Sequence, residues 1–414
     1  MDRKTDVIII GGGQAGLATS RCLTDLGIDH LVIERGEVAQ RWRAERWNSL
    51  RLLTPNWMTR LPGWSYQGRD PHGFMSRKEV TEFLTAYGAD FSAPVMTHTR
   101  VLSVAHRAGA FLVATTRGNW RARSVVIATG ACDVPRVPRC ASAIDPSIAQ
   151  VTLDSYKTSS QIARGGVLVV GASASGLQIA SALQSSGCDV TLAAGRHTRV
   201  PRTYRGRDIM VWLERTGILQ EKRDPARDVD TLARTHSVQL IGSPTGRSLD
   251  LAAFRAQGGR VTGRLTGAEG TRIGLGETLR QDIRSAEARM GRILRRIDQH
   301  IARHGLNAPA PGRIDPVDCP VAPAQIDLAR EGIRTIIWAT GYSRDYSWLH
   351  VPVLSPGGEI CQQDGATPVA GLYTVGLPYM RRCNSSFIDG VGQDARAITK
   401  LIANQLGASP PKAA

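Results

Sequence analysis

Three glycines near the N-terminus, Gly11, Gly13 and Gly16, stand in Gly-x-Gly-x-x-Gly spacing after an apolar run at Val7–Ile10. In this spacing the first glycine allows a tight turn, the second lets a phosphate approach the backbone, and the third lets helix and strand pack closely. The helix that follows would offer unpaired N–H groups and a partial positive charge to the phosphates. The pattern therefore predicts a βαβ unit that binds a dinucleotide.

An acidic residue, Glu34, follows the second apolar run of this unit, Leu31–Ile33. It stands about twenty residues after the glycines, where a carboxylate can accept hydrogen bonds from ribose hydroxyls. The same carboxylate would repel a 2′-phosphate, so the first site favours FAD or NAD over NADP. Its place near the start of the chain is typical of flavoproteins with two dinucleotides, in which the first site holds FAD.

The same plan returns at residues 167–195, with the loop GASASG at 171–176. Ser173 replaces the middle glycine; it is small enough to admit a phosphate, and its hydroxyl could bond to it. Instead of an acid, Arg196 and Arg199 follow the second strand of this unit. An arginine there can pair with a 2′-phosphate, so the second site is predicted to prefer NADPH. A solvated arginine pair beside a turn is the alternative interpretation.

The composition is that of a globular protein. The chain has 414 residues, of which 42% are apolar and 21% charged, enough for two or three domains with cores. No apolar run approaches the roughly eighteen residues of a membrane span, and no signal peptide is evident before the first strand. We therefore expect a cytoplasmic protein that does not associate with membranes.

Cysteine spacing and charge distribution bear on two further classes of function, dithiol reductases and nucleic-acid-binding proteins. The seven cysteines include no Cys-x-x-Cys pair, so we expect free thiols and no dithiol reductase chemistry. The net charge of +16 invites a nucleic-acid interpretation, yet the arginines are scattered and form no recognised nucleic-acid module. Anionic cofactors or a compositional bias explain the charge as well, so we predict neither a nucleic-acid partner nor a metal site.

Other elements complete the predicted fold. Strand-like segments at 99–104, 111–116 and 124–128 form a β-meander, and an Ala-Thr-Gly motif at 128–130 is repeated at 339–341. Helices are predicted over 74–87 with Gly88 as the cap, over 276–304 and from about 391 to 406. The C-terminal tail, 408–414, is expected to be disordered.

These elements predict an α/β fold with two Rossmann-like dinucleotide-binding domains of the two-dinucleotide-binding flavoprotein type, carrying a β-meander and a helical insertion. Residues 1–160 and 325–414 are assigned to a discontinuous FAD-binding domain. Residues 161–324 are assigned to an NADPH-binding domain that contains the insertion at about 203–310. The oligomeric state is left open, with a homodimer among the alternatives.

Several motifs resemble those of the flavin-containing monooxygenase-like flavoproteins, the single-component class that uses FAD and NADPH. They are GGGQAG (11–16), Glu34, Arg41-Trp42, SLRLLTP (49–55), ATG (128–130), GASASG (171–176), WATGY (338–342), GLYTVGLP (371–378) and GVGQDA (390–395). They cover nearly the whole chain except about 215–310. Leu377 follows Gly376 as in that group, whereas disulfide reductases of this fold usually have an aspartate there.

The glycine patterns and the resemblance together imply a set of site residues. The cofactor-binding candidates are Gly11, Gly13, Gln14, Ala15, Gly16, Glu34, Arg35, Arg41, Trp42, Thr54, Val101, Thr129, Gly130, Gly171, Ser173, Ser175, Gly176, Arg196, His197, Thr340, Gly341, Gly376, Val391 and Asp394. Thr54, Asn56 and Trp57 are the catalytic candidates. The resemblance implies an asparagine near the reactive carbon of the flavin, for which Asn56 is the nearest candidate. All three lie in the tryptophan-rich segment 41–69, which follows the first unit, where a flavin ring would be covered. Packing within a loop is the alternative for each of them.

The resemblance implies a monooxygenase that reduces FAD with NADPH, forms a C4a-(hydro)peroxyflavin and oxygenates a small organic substrate with dioxygen. The oxygenation would occur at nitrogen, at sulfur or by a Baeyer–Villiger reaction. The family carries a histidine motif in the crossover before the second glycine pattern. If Tyr156 is its aromatic residue, Thr152 stands at the place of the histidine. An NADPH-dependent flavin reductase or oxidase without oxygen insertion is therefore the alternative.

Overall fold

Two β-sheets with parallel strands at their centres form the framework of the protein. One strand of each sheet leads directly into a glycine loop. The computed structural model describes residues 2–224, 228–230, 238–243 and 245–407. The tail at 408–414, for which disorder is predicted, lies outside the described residues. Within those described ranges, none of the helices is both long and apolar enough to cross a membrane.

The first sheet has eight strands and contains the first glycine loop, residues 11–16. In spatial order seven strands are Leu349–His350, Val101–Arg107, Ala110–Thr115, Gly118–Ile127, Arg3–Ile10, His30–Ile33 and Val95–Met96, and Leu372–Thr374 pairs with Gly118–Ile127. The strands between 101 and 127 are antiparallel and form the predicted meander. The strand Arg3–Ile10 pairs in parallel with both of its neighbours.

The second half of the strand Arg3–Ile10, the apolar run Val7–Ile10, is buried on both faces, as that run indicates. Val7 and Ile9 belong to one hydrophobic cluster, while Ile8 and Ile10 belong to another. Successive side chains of a strand point to opposite faces, so this short run contributes to two separate layers of the core. All four side chains are at most 5% exposed.

The second sheet has five strands and contains the second glycine loop, residues 171–176. In spatial order they are Ala149–Thr152, Ile333–Trp338, Gly166–Val170, Val190–Ala193 and Arg260–Thr262, all paired in parallel. Smaller sheets are Leu265–Glu269 with Arg272–Leu275 and Gln325–Asp327, Thr198–Arg199 with Val238–Gln239, Thr203–Tyr204 with Arg207–Asp208, Val134–Pro135 with Tyr342–Ser343, and Arg60–Leu61 with Trp64–Ser65.

Helices cover the sheets and connect their strands. The α-helices are Gln14–Asp25, Gln40–Ala44, Arg77–Asp90, Ala174–Ser185, Ile209–Arg215, Leu251–Ala256, Leu279–Arg303 and Ile388–Leu406, and the 3-10 helices are Asn56–Met58, Arg139–Ala143, Ser159–Gln161 and Ile218–Gln220. The predicted long amphipathic helix is therefore present at Leu279–Arg303. Its buried residues include Ile283, Met290 and Ile297, which recur at the helical period.

The helix predicted over 74–87 begins and ends later, at Arg77–Asp90. It begins at a capping box, in which Ser76 Oγ accepts from the Glu79 N–H and the Glu79 carboxylate accepts from the Ser76 N–H at 2.7 Å. The prediction that Gly88 caps the helix is wrong. Gly88 lies inside the helix, where a Cβ would stand at an ordinary contact distance of 3.4 Å from the Leu17 side chain.

Residues 260–269 form two strands that belong to different sheets. Arg260–Thr262 joins the five-stranded sheet, and Leu265–Glu269 joins a three-stranded antiparallel sheet. Between them, a Cβ at Gly263 would lie 1.9 Å from the carbonyl oxygen of Gly276, so the chain bends where another backbone segment approaches. Sequence periodicity does not reveal such a bend, because its cause is a residue distant along the chain.

The predicted fold class is confirmed: two parallel-centred sheets, each with a glycine loop, a β-meander and a helical insertion. The division at residues 160 and 325 stays a prediction. By strand pairing, Ala149–Thr152 and Ile333–Trp338 go with the second sheet, although both lie in the segments assigned to the first domain.

Candidate active site

The first glycine loop is tightly packed at two positions and open at a third. Gly11 has a φ of +113°, and a Cβ there would lie 2.6 Å from the carbonyl oxygen of Ala128. A Cβ at Gly16 would lie 1.8 Å from the carbonyl oxygen of Gly11. At Gly13, no atom of the described residues lies within 4 Å of the Cβ position, and this residue lines a cavity. The loop thus has the open cradle that a pyrophosphate requires.

The helix Gln14–Asp25 begins at this cradle, with Gly13 as its N-cap. No side chain in the described part of the protein caps its first N–H groups. Unpaired amides and the positive end of the helix dipole favour a bound anion. The residues present therefore fit the phosphates of FAD, which the loop and this helix N-terminus would hold.

A cavity of about 410 Å³ extends from the first glycine loop. The predicted residues that line it are Gly11, Gly13, Gln14, Ala15, Glu34, Arg35, Arg41, Trp42, Val101, Thr129, Gly130 and Gly376. Further lining residues, which sequence reasoning missed, include Arg46, Arg100, Cys132, Asp133, Asp345 and Trp348. Some of them could have been predicted because they lie close to a motif in the sequence. Arg46 lies in the tryptophan-rich segment, and Asp345 comes shortly after WATGY.

Glu34 borders this cavity and is 8% exposed. Its Oε2 accepts from the Gly12 N–H at 2.7 Å, and its Oε1 accepts from the Gly36 N–H at 3.0 Å. Each oxygen of an ionised carboxylate can accept a further bond, so both remain able to receive a ribose hydroxyl. The two backbone bonds fix the orientation of the carboxylate in advance.

Two predicted arginines on the cavity wall are engaged in ion pairs. Arg41 contacts Glu45 at 2.6 Å and Asp133 at 2.9 Å. Arg35 contacts the same two acids at 2.8 Å and 3.4 Å. Because both guanidinium groups already have carboxylate partners, Arg35 and Arg41 shape the wall of the cavity and add little free positive charge to it.

A row of side chains connects the first glycine loop with the second Ala-Thr-Gly motif. Trp42 Nε1 donates to Gln14 Oε1 at 3.2 Å. The Arg46 guanidinium lies 5.6 Å from the ring centroid of Trp42 and 5.7 Å from that of Tyr342, and it donates to the Tyr342 hydroxyl at 3.1 Å. Since Tyr342 follows Gly341 directly, these cation–π contacts join the cavity wall to the segment that follows the strand Ile333–Trp338 of the second sheet.

Val391 and Asp394, two predicted residues of the C-terminal helix, are 0% exposed. Asp394 Oδ1 accepts from the Arg382 guanidinium at 3.0 Å, and burial raises the pKa of this carboxyl. Gly376 lines the cavity and packs closely on the first helix, since a Cβ there would lie 2.6 Å from that of Ala15. Val391 and Asp394 thus lie in the interior of the protein, whereas Gly376 faces the cavity.

The second glycine loop has the same geometry as the first. Gly171 has a φ of +112°, and a Cβ there would lie 2.3 Å from the carbonyl oxygen of Ala339. A Cβ at Gly176 would lie 1.9 Å from the carbonyl oxygen of Gly171. Ser173 is the N-cap of the helix Ala174–Ser185, and its side chain makes no capping bond to any described N–H. The half-buried Ser175 lies in the first turn of that helix. The residues therefore fit a second dinucleotide phosphate.

The repeated Ala-Thr-Gly motif has a structural role in both sheets. Ala128 and Ala339 each follow a strand that lies parallel to the strand before a glycine loop. Each places its carbonyl oxygen against the first glycine of the adjacent loop. Thr340 Oγ1 donates to the carbonyl oxygen of Arg136, which anchors the second motif to the crossover.

Arg196 and His197 differ in their surroundings although they are adjacent. Arg196 is exposed, and across the described ranges no carboxylate pairs with it. His197 is 1% exposed; its Nδ1–H donates to the carbonyl oxygen of Gly195 at 2.8 Å. Its Nε2 is buried and has no hydrogen-bond partner among the described residues. The Arg196 guanidinium is thus available to a ligand, whereas the His197 ring lies inside the protein.

His197 should make the stability of the protein depend on pH. Burial lowers the pKa of its imidazole from the ordinary value of 6.5. The unfolded chain therefore binds the proton more readily than the folded protein does. The free energy of unfolding is thus highest, as far as His197 is concerned, above about pH 6.5, and it falls as the pH drops below that value. We expect His197→Asn to reduce this loss by up to about 1.4 kcal/mol per pH unit, as measured by urea unfolding between about pH 7.5 and 5.5.

A matched control is His72→Asn, because His72 is exposed. It should leave the pH dependence of unfolding unchanged. Some dependence should remain in both variants, since burial also lowers the pKa of His30. A wild-type slope in His197→Asn would contradict the assigned role of this imidazole.

The catalytic candidates lie on a turn outside the lining of the 410 Å³ cavity. Thr54 is half-buried, and Asn56 begins the 3-10 helix Asn56–Met58. Asn56 Nδ2 donates to the carbonyl oxygen of Asp70 at 2.9 Å. Its Oδ1 and the indole N–H of Trp57 are buried, and neither has a partner within the described residues. This turn thus carries two buried polar atoms whose hydrogen-bonding capacity is unused within the described residues.

Comparison with known proteins agrees with this geometry. The family model of the pyridine nucleotide-disulphide oxidoreductases matches residues 8–216. An uncharacterized CzcO-like oxidoreductase of Geobacillus kaustophilus is 30% identical over 407 residues, which cover 98% of this chain and 100% of the relative. The chain therefore belongs to the pyridine nucleotide-disulphide oxidoreductase family.

Solved structures share the fold over almost the whole chain. A flavin-containing monooxygenase from Stenotrophomonas maltophilia matches with a TM-score of 0.68 and 20% identity, covering 98% of this chain and 100% of that one. A bacillithiol disulfide reductase from Bacillus cereus matches with a TM-score of 0.62 and 18% identity, covering 97% and 100%. The resemblance predicted from the motifs is confirmed: the chain shares the fold of a flavin-containing monooxygenase, and its family makes it an FAD-dependent oxidoreductase.

Proposed function

We propose that the protein is an NADPH-dependent FAD monooxygenase that acts on a small organic substrate with dioxygen. In this proposal FAD binds beside the first glycine loop and NADPH beside the second. When bound, the two cofactors supply hydride transfer and the activation of dioxygen. The side chains of the protein bind and orient the cofactors and the substrate and exclude water from the reacting atoms.

The opposite charges at the two equivalent strand ends carry this proposal. Glu34 follows the strand His30–Ile33 and is held by two backbone amides. Arg196 follows the strand Val190–Ala193 and is exposed. A carboxylate disfavours a 2′-phosphate, whereas a guanidinium pairs with it. The two loops therefore select different dinucleotides, which is what an enzyme needs to pass electrons from NADPH to FAD.

Oxygen insertion is supported by the turn that carries the catalytic candidates. The unpartnered Asn56 Oδ1 and Trp57 N–H are hydrogen-bonding groups held in a buried environment. Trp57 also packs against the cluster that contains Met58 and Trp212, which are both 1% exposed. Hydrogen bonds are stronger where water is excluded, so this turn can hold a polar reacting group firmly.

The fate of dioxygen during NADPH oxidation tests the proposed function. We expect the purified protein to be yellow, with stoichiometric FAD, and to consume NADPH in preference to NADH. A screen of amines, sulfides and ketones under isotopically labelled dioxygen should find a product that carries the label. Stoichiometric hydrogen peroxide with every substrate, and no labelled product, would contradict oxygen insertion.

A second candidate is an NADPH-dependent flavin reductase or oxidase without oxygen insertion. It is favoured by Thr152, which stands where the resemblance leads one to expect a histidine. The Thr152 hydroxyl is used within its own turn, where it bonds to the Asp154 carboxylate and to the Ser155 hydroxyl at 3.0 Å. For this candidate all of the oxygen consumed would leave as peroxide, so the same measurement distinguishes the two.

Asn56→Ala should uncouple NADPH oxidation from oxygen insertion. The substitution removes the buried Oδ1, which we propose orients the reacting group, but it leaves the first glycine loop intact. We expect the ratio of oxygenated product to peroxide to fall about tenfold, equivalent to roughly 1.4 kcal/mol of differential stabilisation. The rate of FAD reduction by NADPH should stay near that of the wild type.

Asn48→Ala is the matched control, because Asn48 is an exposed asparagine on the same segment. Its Oδ1 accepts from the Arg77 guanidinium at 2.7 Å at the surface. Peroxide release and product should not change in this variant. If Asn56→Ala also leaves their ratio unchanged, Asn56 has only the packing role that a loop residue can have.

A further inference from the structure

The two glycine loops differ in what holds their second residue. In the first loop, the carbonyl oxygen of Gly12 accepts from the backbone N–H of Ala39 at 3.0 Å. The Gly12 N–H donates to Glu34. Both partners belong to the same βαβ unit and its immediate extension, so the first loop is held by hydrogen bonds from residues close to it in the sequence.

In the second loop, the corresponding residue is held by a side chain from the insertion. The carbonyl oxygen of Ala172, which corresponds to Gly12, accepts from Gln239 Nε2 at 2.6 Å. Gln239 lies in the strand Val238–Gln239, which pairs in parallel with Thr198–Arg199. Its side chain is 0% exposed, and its Oε1 is buried with no partner in the part of the chain that the structure describes. Burying an amide whose carbonyl oxygen makes no hydrogen bond is costly, so this side chain does more than fill space in the core.

The residues after Gln239 reach the turn that carries the catalytic candidates. The Arg202 guanidinium, 1% exposed, donates to the carbonyl oxygen of Ile241 at 3.0 Å and to that of Leu53 at 2.7 Å. A Cβ at Gly242 would lie 2.3 Å from the carbonyl oxygen of Leu52, so the two backbones touch at this point. The segment 239–242 therefore contacts the second glycine loop at one end and the turn at 52–57 at the other.

We propose that Gln239 is a positioning residue for the second dinucleotide. It holds the backbone whose N–H groups face the pyrophosphate, and the segment 239–242 keeps this backbone in register with the turn that carries Thr54, Asn56 and Trp57. The inference rests on the proposed function, since it requires a pyridine nucleotide at the second loop. The insertion then forms part of the nucleotide site.

The test replaces Gln239 by methionine, which keeps the length of the side chain and removes both polar atoms. Binding of NADP⁺ and of NAD⁺ to the oxidised holoprotein is measured by calorimetry, and flavin reduction at saturating NADPH by rapid mixing. We expect roughly three- to tenfold weaker binding of both nucleotides, the scale of one hydrogen bond. The limiting rate of flavin reduction should fall as well, while the FAD content stays at the wild-type level.

Gln184→Met is the matched control. Gln184 lies near the far end of the helix that starts at the second loop, its Nε2 donates to the carbonyl oxygen of Gln257 at 2.5 Å, and its Oε1 is also buried without a described partner. This variant loses the same kind of bond without touching the loop, so its nucleotide affinity and reduction rate should equal those of the wild type.

The possible outcomes separate the inference from the proposed function. Wild-type affinity and reduction rate in Gln239→Met, or equal losses in both variants, would overturn the positioning role while the proposed function stands. A wild-type protein that binds neither nucleotide would overturn both. If Gln239→Met does not yield folded holoprotein, Gln239→Asn is used with the same expectations, because its amide is one methylene too short to reach Ala172.

Discussion

The Gly13→Val variant is expected to fold and to be purified without FAD. No described atom lies within 4 Å of the position where a Cβ would stand, so the protein itself has room for the new side chain. The φ of −88° and ψ of −169° are accessible to valine. The side chain would instead project into the cavity, at the point where the pyrophosphate must approach the backbone. The visible spectrum and the FAD content of the purified protein measure the effect.

Gly312→Val serves as the control for this substitution. Gly312 also has no described atom within 4 Å of its Cβ position, but it lies in a proline-rich segment, 308–323, far from the first glycine loop in sequence. This variant should retain stoichiometric FAD, and circular dichroism should show that both variants are folded. A yellow Gly13→Val protein with normal FAD content would refute the assignment of the first loop.

Arg196→Ala should lower the affinity for NADPH by about 1–3 kcal/mol, the contribution of a charge-assisted hydrogen bond, and leave the affinity for NADH nearly unchanged. The side chain is exposed, and no carboxylate in the described ranges competes for it, so its charge is available to a 2′-phosphate. The ratio of kcat/KM values for the two coenzymes in flavin reduction measures the change. The protein should remain folded, because the substitution removes no buried contact.

Arg164→Ala provides a control of equal charge. Arg164 is also exposed, but it precedes the strand Gly166–Val170 and so lies at the opposite end of the sheet from the second glycine loop. A general effect of the positive net charge on anionic coenzymes would appear in both variants. Equal losses for NADPH and NADH in Arg196→Ala would remove the argument that this arginine recognises the 2′-phosphate.

Arg196→Ala and Gln239→Met should also differ from each other in a diagnostic way. Arg196 would act on a group that only NADPH carries, whereas Gln239 would act on the loop that faces the pyrophosphate common to both coenzymes. The first variant should therefore change coenzyme preference, and the second should change affinity without changing preference. Together they would locate the 2′-phosphate beside Arg196 and the pyrophosphate at the second loop.

The sequence by itself determined the features that depend on residues close together in the chain. Glycines in fixed spacing after an apolar run can form few structures other than the turn seen at Gly11–Gly16, because the turn requires a left-handed φ and two close approaches. The charges of Glu34 and Arg196 were equally readable, since Glu34 directly follows a strand of its unit and Arg196 comes three residues after the last residue of the equivalent strand. The fold class followed from repeating this unit twice.

Only the tertiary structure decided how distant residues meet. It placed the carbonyl oxygens of Ala128 and Ala339 against the two loops, which explains the repeated Ala-Thr-Gly motif. It also paired Arg35 and Arg41 with acids, and it placed Asp394 inside the protein. These contacts depend on strand pairing and on packing between segments far apart in the chain, and no local pattern encodes them.

The insertion at about 203–310 shows most clearly that the sequence predicts local elements but not the contacts between distant segments. The sequence predicted its long helix, because the apolar residues recur at the helical period. It offered no sign that Gln239 would bond to Ala172, since a single glutamine before an apolar pair has no characteristic spacing. A buried polar contact between two segments becomes visible only when the fold brings the donor to its acceptor.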